Sequence, residues 1–558
     1  MHVRSMLTST RVIVRAATLA AIRAVPIAVA LAALGVSGCG GSTSSGTSPD
    51  QMIVSIGLGE PQHLVPSDTT ETAGAQVLDA LYAPLVRYDE HSMPVEEAAE
   101  SITSTDHKVW TIKLKPGWTF HNGEKVTADS YINAWNAGAW GPNTHRANYY
   151  YEKIVGYDDL NPRNAKTAPK ATKMSGLVKK DDLTFEVTLK DAYVNFKSML
   201  GYTAFYPAPL AAFEDLANNK IAASYEQAPI GQGPFKMKGV WQHDQLVETV
   251  RFADYKGAKQ PKVAGVIFKL YQSLPTQYQD LLAGQLDVVP VLPIEAMASA
   301  RADLGDRFQQ SPMSAIQIVA FPTFDPHYSK VAIRRAVSMA IDRDEITKTI
   351  FLDAQKPLRS FVSPVVPGYR ENSCGEACEF NPTKAKALFD SAGGAAAVGG
   401  KIVITYNFDG GHKPWVDATC NQIKKNLAVD CVPTSEAKFA DLLNKVERKQ
   451  PVGMFRMGWV FDYPAMENYL GPLYSTNGSS NYYGYSNPQF DKLVNDGDHA
   501  ASSEAATKLY QQAEDLLARD MPVIPLRYSP NNFGFSTRVK NVKVDAFQRV
   551  DTLEIEAK

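Results

Sequence analysis

The chain has 558 residues, of which 44% are hydrophobic and 21% are charged, a composition typical of soluble globular proteins. Its formal net charge of −2 argues against the strongly basic surface of a nucleic-acid-binding protein. The length predicts roughly two to four domains.

The N-terminal part of the chain has the features of an export and anchoring segment. Four arginines and no acidic residue precede an apolar run at 24–36, which is too short to span a bilayer comfortably. Residues 36–39 then read Val-Ser-Gly-Cys, which resembles a bacterial lipobox, in which the cysteine becomes lipidated after cleavage. An ordinary secretory signal with a chance cysteine is the alternative. We expect a signal peptide over 1–38, lipidation of Cys39, and a flexible Gly/Ser/Thr-rich tether over 39–50.

The folded part of the chain is predicted to begin at Met52. Residues 53–56 read Ile-Val-Ser-Ile, which is typical of a strand, and two Xaa-Pro pairs follow at 60–61 and 65–66. Apolar residues at helical spacing then predict a helix over 75–82.

The segment 110–129 holds the most informative local pattern. It begins with alternating apolar and polar residues, which predicts a half-buried strand. A Pro-Gly pair breaks this strand, and a second short strand is expected at 118–120. Asn122-Gly123 predicts a tight turn, after which Thr127 can cap a helix.

The later elements follow from apolar periodicity and from capping residues. They are a strand at 184–189, a buried strand at 263–271, a helix ending at Gly284 before a strand at 285–289, a helix with apolar residues from Ile333 to Ile341, helices started by Asn-Pro at 381 and at 487, a strand at 402–406, and an apolar helix stripe from Ala506 to Leu517.

Several segments resemble, in the same order, those of a known family. They include Glu-Pro at 60–61, the block at 110–129 and Gly-Gln-Gly-Pro-Phe at 231–235. The segment 456–464, Arg-Met-Gly-Trp-Val-Phe-Asp-Tyr-Pro, resembles a Gly-Trp-x-x-Asp-Tyr-x-x-Pro ligand motif, with Ala-Met at 465–466 where the family frequently has Asp-Pro. The chain therefore resembles the extracytoplasmic solute-binding proteins of peptide-type ABC transporters, the dipeptide- and oligopeptide-binding family (family 5). The resemblance covers essentially the whole chain after the leader.

This resemblance implies an α/β fold of the periplasmic-binding-protein type. It has two lobes, a hinge of two strands, and an extra α/β subdomain inserted into the first lobe. We expect lobe 1 to comprise residues 51–89, 226–312 and 526–558. The inserted subdomain is expected over 90–225, and lobe 2 over 313–525.

The same resemblance implies ligand-binding roles within the segment 456–464. In peptide-binding members the aspartate of this motif pairs with the α-ammonium of the ligand, and Asp462 occupies that place. An arginine six residues upstream can meet the ligand carboxylate in oligopeptide-type members, and Arg456 matches it. Trp459 and Tyr463 complete the predicted set. The alternatives are that Arg456 and Asp462 form a structural ion pair with each other or with neighbours, and that Trp459 fills the core.

Four cysteines follow Cys39, an even number that predicts two disulfides in an exported protein. Three pairings are possible, and we favour the local pairs Cys374–Cys378 and Cys420–Cys431. A four-cysteine zinc site is the alternative, although the spacing fits the common zinc pattern poorly.

No sequence motif indicates catalysis. Gly-x-Ser-x-Gly, His-Glu-x-x-His and P-loop sequences are absent, although a catalytic triad assembled only in space would escape such a search. The family resemblance implies a binding protein without a metal or other cofactor rather than an enzyme. The resemblance implies an exported monomer that is lipid-anchored to the outer face of the cytoplasmic membrane. It would capture small peptides, deliver them to an ABC permease with a separate ATPase, and have no nucleic-acid partner. The alternatives are another cargo, such as an oligosaccharide, a metal chelate, haem or an opine, and, as a different class, an exported hydrolase.

Overall fold

The computed structural model of the protein describes residues 51–558 except 163, 165 and 166, and every structural statement below concerns this part of the chain. The predicted signal peptide, the tether and the lipidation of Cys39 lie outside the described residues. None of the helices described combines the length and the apolar character that crossing a bilayer requires.

The described residues form a mixed α/β structure. Its strands are β1 (Ile53–Leu58), β2 (Val86–Tyr88), β3 (Pro94–Glu96), β4 (Ala99–Thr103), β5 (Val109–Leu114), β6 (Leu177–Lys179), β7 (Thr184–Thr188), β8 (Phe213–Asp215), β9 (Lys220–Ile221), β10 (Phe235–Met237), β11 (Leu246–Arg251), β12 (Gly265–Leu270), β13 (Val288–Val289), β14 (Phe308–Ser311), β15 (Ile316–Ala320), β16 (Lys356–Pro357), β17 (Lys401–Asn407), β18 (Asp430–Glu436), β19 (Met454–Trp459), β20 (Val523–Tyr528), β21 (Asn531–Phe535), β22 (Val539–Lys540) and β23 (Glu556–Ala557). Its α-helices are α1 (Thr72–Leu81), α2 (Ala128–Ala139), α3 (Tyr157–Leu160), α4 (Phe196–Met199), α5 (Leu274–Leu282), α6 (Met297–Leu304), α7 (Val331–Met339), α8 (Arg343–Phe351), α9 (Pro382–Ser391), α10 (Gly394–Ala397), α11 (Lys413–Leu427), α12 (Phe439–Glu447), α13 (Glu467–Tyr474), α14 (Pro488–Asp498) and α15 (Ser503–Asp520).

The first large sheet has seven strands in the order β10-β11-β12-β1-β13-β21-β14. β1 runs parallel to β12 and β13, and the other neighbouring strands are antiparallel. This sheet therefore contains both β1, from the start of the folded chain, and β21, from near its end. Ile56, Phe268 and Val288 from adjacent strands are fully buried in one hydrophobic cluster.

The second large sheet has six strands in the order β16-β20-β15-β19-β17-β18. Hydrophobic clusters cover both of its faces. Along β15, Ile316 and Ile318 belong to one cluster, whereas Val319 belongs to the other. This division follows from the alternation of side chains along a strand, and it explains why the strand sequence is almost continuously apolar.

The chain crosses between the two large sheets twice. The first crossing lies between Ser311 and Ile316, and the return lies between Tyr528 and Asn531. The predicted boundary between residues 525 and 526 falls inside β20, because the backbone pairing of this strand with β15 continues to Tyr528. We name the part built on the seven-stranded sheet lobe 1 and the part built on the six-stranded sheet lobe 2. The exact domain boundaries remain a proposal.

A third sheet, in the order β4-β5-β7-β6, lies in the predicted insertion, which we name the inserted region and keep as residues 90–225. It contains the strand predicted at the start of the segment 110–129. The second strand predicted at 118–120 is wrong, because only an isolated bridge between Thr119 and Lys125 forms there. The apolar alternation at 118–120 reflects the rings of Trp118 and Phe120, which lie in a loop but are buried in the core.

The predicted helix starts are confirmed. Thr127 is the N-cap of α2, and the side chains of Asn381 and Asn487 accept backbone N–H bonds at the starts of α9 and α14. Proline occupies the first turn of both later helices. Gly393, with φ of +113°, follows α9 and adopts the left-handed conformation that ends many helices.

The four cysteines form two local pairs in the arrangement that the sequence favoured. The sulfur atoms are 2.02 Å apart in Cys374–Cys378 and 2.12 Å apart in Cys420–Cys431. The first pair is buried in one cluster of lobe 2 and the second in the other. The two pairs therefore do not converge on one zinc ion. Within the described residues, no group of three or more His, Cys, Asp or Glu side chains is arranged to hold a metal ion.

Candidate ligand-binding site

The candidate site follows β19, an inner strand of lobe 2. β19 ends at Trp459, which is paired with Ile316 at the start of β15, and Ile316 is paired in turn with Tyr528 at the end of β20. The end of β19 is therefore adjacent to both crossings between the lobes. The loop that leaves β19 carries Asp462, so this residue lies beside the hinge. A hinge motion would move the two lobes relative to each other at this point.

Asp462 is held in place by one residue of α13. The backbone N–H of Asp462 donates to Oδ1 of Asn468 at 2.8 Å, and Nδ2 of Asn468 donates to the Asp462 carboxylate at 3.3 Å. The indole Nε1 of Trp459 donates to the same Oδ1 at 3.3 Å. Asn468 is only 2% exposed. A buried amide therefore fixes the conformation of the loop and the orientation of the carboxylate.

The Asp462 carboxylate is half-buried and has no cation beside it. Among the described residues no ion pair reaches it, and the Arg456–Asp462 pair considered as an alternative is not formed. Burial raises the pKa of Asp462 to about 6, and the hydrogen bond from Asn468 opposes this shift. A cationic group that enters the site would therefore stabilise the ionised form.

Three stacked tyrosines of the inserted region lie close to Asp462. The ring centroids of Tyr149 and Tyr150 are 4.5 Å apart, and those of Tyr150 and Tyr202 are 4.3 Å apart. Burial raises the pKa of all three hydroxyls, and the negative charge of Asp462 adds to this shift. Tyr149 is 44% exposed, so the stack is open at one end. A carboxylate beside aromatic rings is a suitable environment for an ammonium group.

Arg456 lies on β19, opposite Val319 of β15. Its guanidinium carbon is 5.2 Å from the ring centroid of Phe439, at the start of α12. Its charge also lowers the pKa of Arg527 on β20, after the larger effect of burial. The structure therefore places a positive group on the strand and a negative group, Asp462, in the loop that follows it.

Trp459 and Tyr463 are both engaged by protein groups. Trp459 is half-buried and donates to Asn468, as described above. Tyr463 is buried, its hydroxyl lies 2.6 Å from the hydroxyl of Tyr193 in the inserted region, and it also donates to Glu467. These contacts favour positioning roles for both residues, and direct contact with a ligand remains a prediction.

A cavity of about 650 Å³ lies between the inserted region and α14. Its lining comes from residues 152–162, 190–193 and 495–499, and it includes Tyr193 and Asp498. Burial and the charge of Glu467 raise the pKa of Asp498 to about 7. None of the four ligand-binding residues predicted from the sequence lines this cavity.

The sequence analysis missed the residues that surround Asp462. Asn468 lies six residues downstream in a helix and belongs to no recognised motif. The run of three tyrosines at 149–151 was a visible signal, but nothing in the sequence connected it with Tyr202 or with Asp462. The proximity of the tyrosines to Asp462 joins parts of the chain that are more than 250 residues apart, a distance that spacing rules do not cover.

The comparisons with known proteins agree with this architecture. The family described as bacterial extracellular solute-binding proteins, family 5 (middle region), matches residues 93–481, and the chain belongs to this family. The oligopeptide-binding protein OppA of Bacillus subtilis is 25% identical over 495 residues, covering 87% of this chain and 88% of the relative. Heme-binding protein A of Haemophilus influenzae is 24% identical over 511 residues, covering 87% of each chain.

A solved structure confirms the predicted fold class. The ABC transporter substrate-binding protein CtaP of Listeria monocytogenes superposes with a TM-score of 0.78 at 20% identity, covering 91% of this chain and 99% of that one. The chain therefore has the two-lobed periplasmic-binding-protein fold. Members of family 5 are extracytoplasmic binding proteins for transport and not enzymes, so the hydrolase alternative is set aside.

Proposed function

We propose that the protein captures peptides between its lobes and delivers them to an ABC permease. The observation that carries the proposal is the carboxylate of Asp462, which Asn468 orients and which no cation of the described residues neutralises. The α-ammonium of a peptide supplies the missing charge, and the tyrosine stack supplies aromatic faces. Arg456 on the adjoining strand is the proposed partner of a ligand carboxylate.

The named relatives support a peptide cargo and define the main alternative. One relative is named for oligopeptides, whereas another of similar coverage is named for haem. The local chemistry favours the peptide, because a carboxylate and a guanidinium on one strand and its loop match the two termini of a zwitterion. Lobe closure would then follow from the higher affinity of the closed form for the ligand.

We further propose that the chain is exported and anchored by lipid at Cys39, and that it works as a monomer with a separate ATPase supplying the energy of transport. The lipobox-like sequence at 36–39 supports the anchor. In a bacterial host, wild-type protein should fractionate with the membrane and incorporate labelled palmitate, whereas Cys39→Ala should do neither. Equal labelling of both proteins would contradict lipidation at this residue.

The cargo is best tested by identifying what the protein binds in cells. Protein purified without denaturation is precipitated with acid, and the released small molecules are analysed by mass spectrometry. A second sample is stripped in guanidinium, refolded, and titrated calorimetrically with a mixture of di- to pentapeptides. We expect short peptides in the extract and heat of binding in the titration. A sugar, a chelate or haem in the extract, together with no binding of peptides, would overturn the peptide proposal.

Peptide affinity is expected to fall in acid. Asp462 has a pKa of about 6 in the unliganded protein, so lowering the pH through 6 protonates the group that the ammonium needs. Between pH 7 and pH 5 this should weaken binding about tenfold, since the α-ammonium of a peptide, with a pKa of about 7.7–8.0, stays mostly charged over this range. Calorimetry at several pH values measures the effect, and Asp462→Asn is the control with a flat profile. A decline of equal size in the control would assign the pH dependence to another group, such as Asp498.

A further inference from the structure

Arg527 is a buried cation for which no residue in the described part of the chain supplies a counter-charge. It is 4% exposed and lies on β20, paired with Gln317 of β15. Its guanidinium carbon is 4.4 Å from the ring centroid of Phe351 and 5.5 Å from that of Trp415. Nη1 donates to the side chain of Gln355, whereas Nε is buried without a hydrogen-bond partner. Among the described residues no carboxylate forms an ion pair with it.

Two other arginines of lobe 2 show how this fold satisfies a guanidinium that has only a structural role. Arg343 is 1% exposed and donates to four backbone carbonyl oxygens and to the Ser338 hydroxyl. Arg334 is 5% exposed and donates to the carbonyl oxygens of four residues. Arg527, in contrast, donates to one side-chain amide oxygen instead of to a set of backbone carbonyl oxygens. A buried guanidinium with unused donors is costly, so this arrangement needs a reason other than stability.

The position of Arg527 gives that reason. It is the residue before the last one of β20, and the return crossing to lobe 1 begins directly after Tyr528. It is therefore at the same edge of the sheet as the end of β19, from which the Asp462 loop leaves. The charge of Arg456 acts on Arg527 as well.

We propose that Arg527 binds an acidic group of the solute, a carboxylate, so that the bound molecule carries an anion at this edge of lobe 2. The inference rests on the proposed function in one respect, that the solute occupies the region beside the hinge. The anion neutralises the guanidinium and receives its unused N–H donors. The aromatic rings of Phe351 and Trp415 contact the guanidinium and help to fix its position. Solutes without an acidic group are then disfavoured, because they leave the buried charge unpaired.

The first test measures the thermal stability of the protein in the absence of peptide, so it does not depend on the identity of the solute. Arg527→Met removes the unpaired charge and keeps an unbranched chain, so we expect Tm to rise by about 1–3 °C. Arg343→Met is the matched control, and there Tm should fall, because several carbonyl oxygens lose their donor. Titration with sodium acetate should raise Tm of the wild type more than that of Arg527→Met. A fall of Tm in Arg527→Met, or an equal response to acetate, would overturn the proposal.

The second test compares three peptides: trialanine, its C-terminal amide, and Ala-Glu-Ala amide. The wild type should bind trialanine at least tenfold more tightly than trialanine amide, and this ratio should fall below about threefold in Arg527→Met. Tight binding of Ala-Glu-Ala amide would show that a side-chain carboxylate serves as well as a terminal one, and weak binding would assign the anion to the C-terminus. An unchanged ratio in Arg527→Met would overturn the role of Arg527. Failure of every peptide to bind the wild type would instead overturn the proposed function, and the thermal test would still decide the role of Arg527.

Discussion

Replacing Asp462 with alanine should weaken the binding of a peptide with a free N-terminus at least tenfold and leave the fold intact. The loss of affinity follows from removing the one charged partner proposed for the ligand ammonium, since hydrogen bonds to charged groups contribute about 1.5–3 kcal/mol. The fold is spared because no cation of the described residues depends on this carboxylate. Calorimetry gives the affinity, and thermal unfolding shows whether the variant is folded.

The ligand provides the control for this experiment. An N-acetylated peptide has no ammonium, so it should bind the wild type and Asp462→Ala equally weakly, and the double-mutant cycle isolates the charge pair. Asn468→Ala keeps the carboxylate but removes the amide that orients it, and it should give a smaller loss. Unchanged affinity of Asp462→Ala for the free peptide would remove Asp462 from the proposed ammonium site.

Replacing Glu514 with alanine should produce a large loss of stability. Glu514 of α15 is fully buried, and its carboxylate accepts hydrogen bonds from the Ser360 hydroxyl at 2.8 Å, the Ser373 hydroxyl at 2.7 Å and the Phe361 N–H at 3.2 Å. Arg370 donates to it at 2.9 Å. The variant leaves these groups without their acceptor in the interior of lobe 2, at a cost of about 3–5 kcal/mol in the free energy of unfolding. Denaturant unfolding followed by circular dichroism measures this change.

The neighbouring residue Asp515 offers a matched control. Its carboxylate binds the same Arg370 at 2.7 Å, but its side chain is 57% exposed. Because exposed ion pairs contribute little, Asp515→Ala should cost less than about 1 kcal/mol. Equal costs for the two variants would show that the shared arginine, and not the buried hydrogen bonds, determines the stability of this region.

Local signals in the sequence predicted three helix starts and several strands correctly. The Asn-Pro pairs before α9 and α14 and the cap at Thr127 depend only on neighbouring residues, so the sequence contains all that determines them. The same kind of evidence failed at 118–120. Alternating apolar residues show which side chains are buried, but they do not show whether a strand or a loop buries them.

The return crossing shows a second limit of local evidence. Lobe 1 was expected to resume at residue 526, yet the strand that contains this residue stays paired with β15 up to Tyr528. The length of a strand depends on the neighbours with which it forms hydrogen bonds, and those neighbours lie about 200 residues away in the sequence.

By itself, the sequence determined the family, the fold class and two charged residues worth examining, Arg456 and Asp462, because motif order, periodicity and caps are properties of adjacent residues. Only the tertiary structure decided how charged groups are compensated, and it added Arg527, which no sequence motif had indicated. Asp462 receives an amide from α13 and a tyrosine stack from the inserted region, and Arg527 receives aromatic rings and no carboxylate. The free energy of a buried charge depends on the groups within a few ångströms of it, and folding brings those groups from distant parts of the chain.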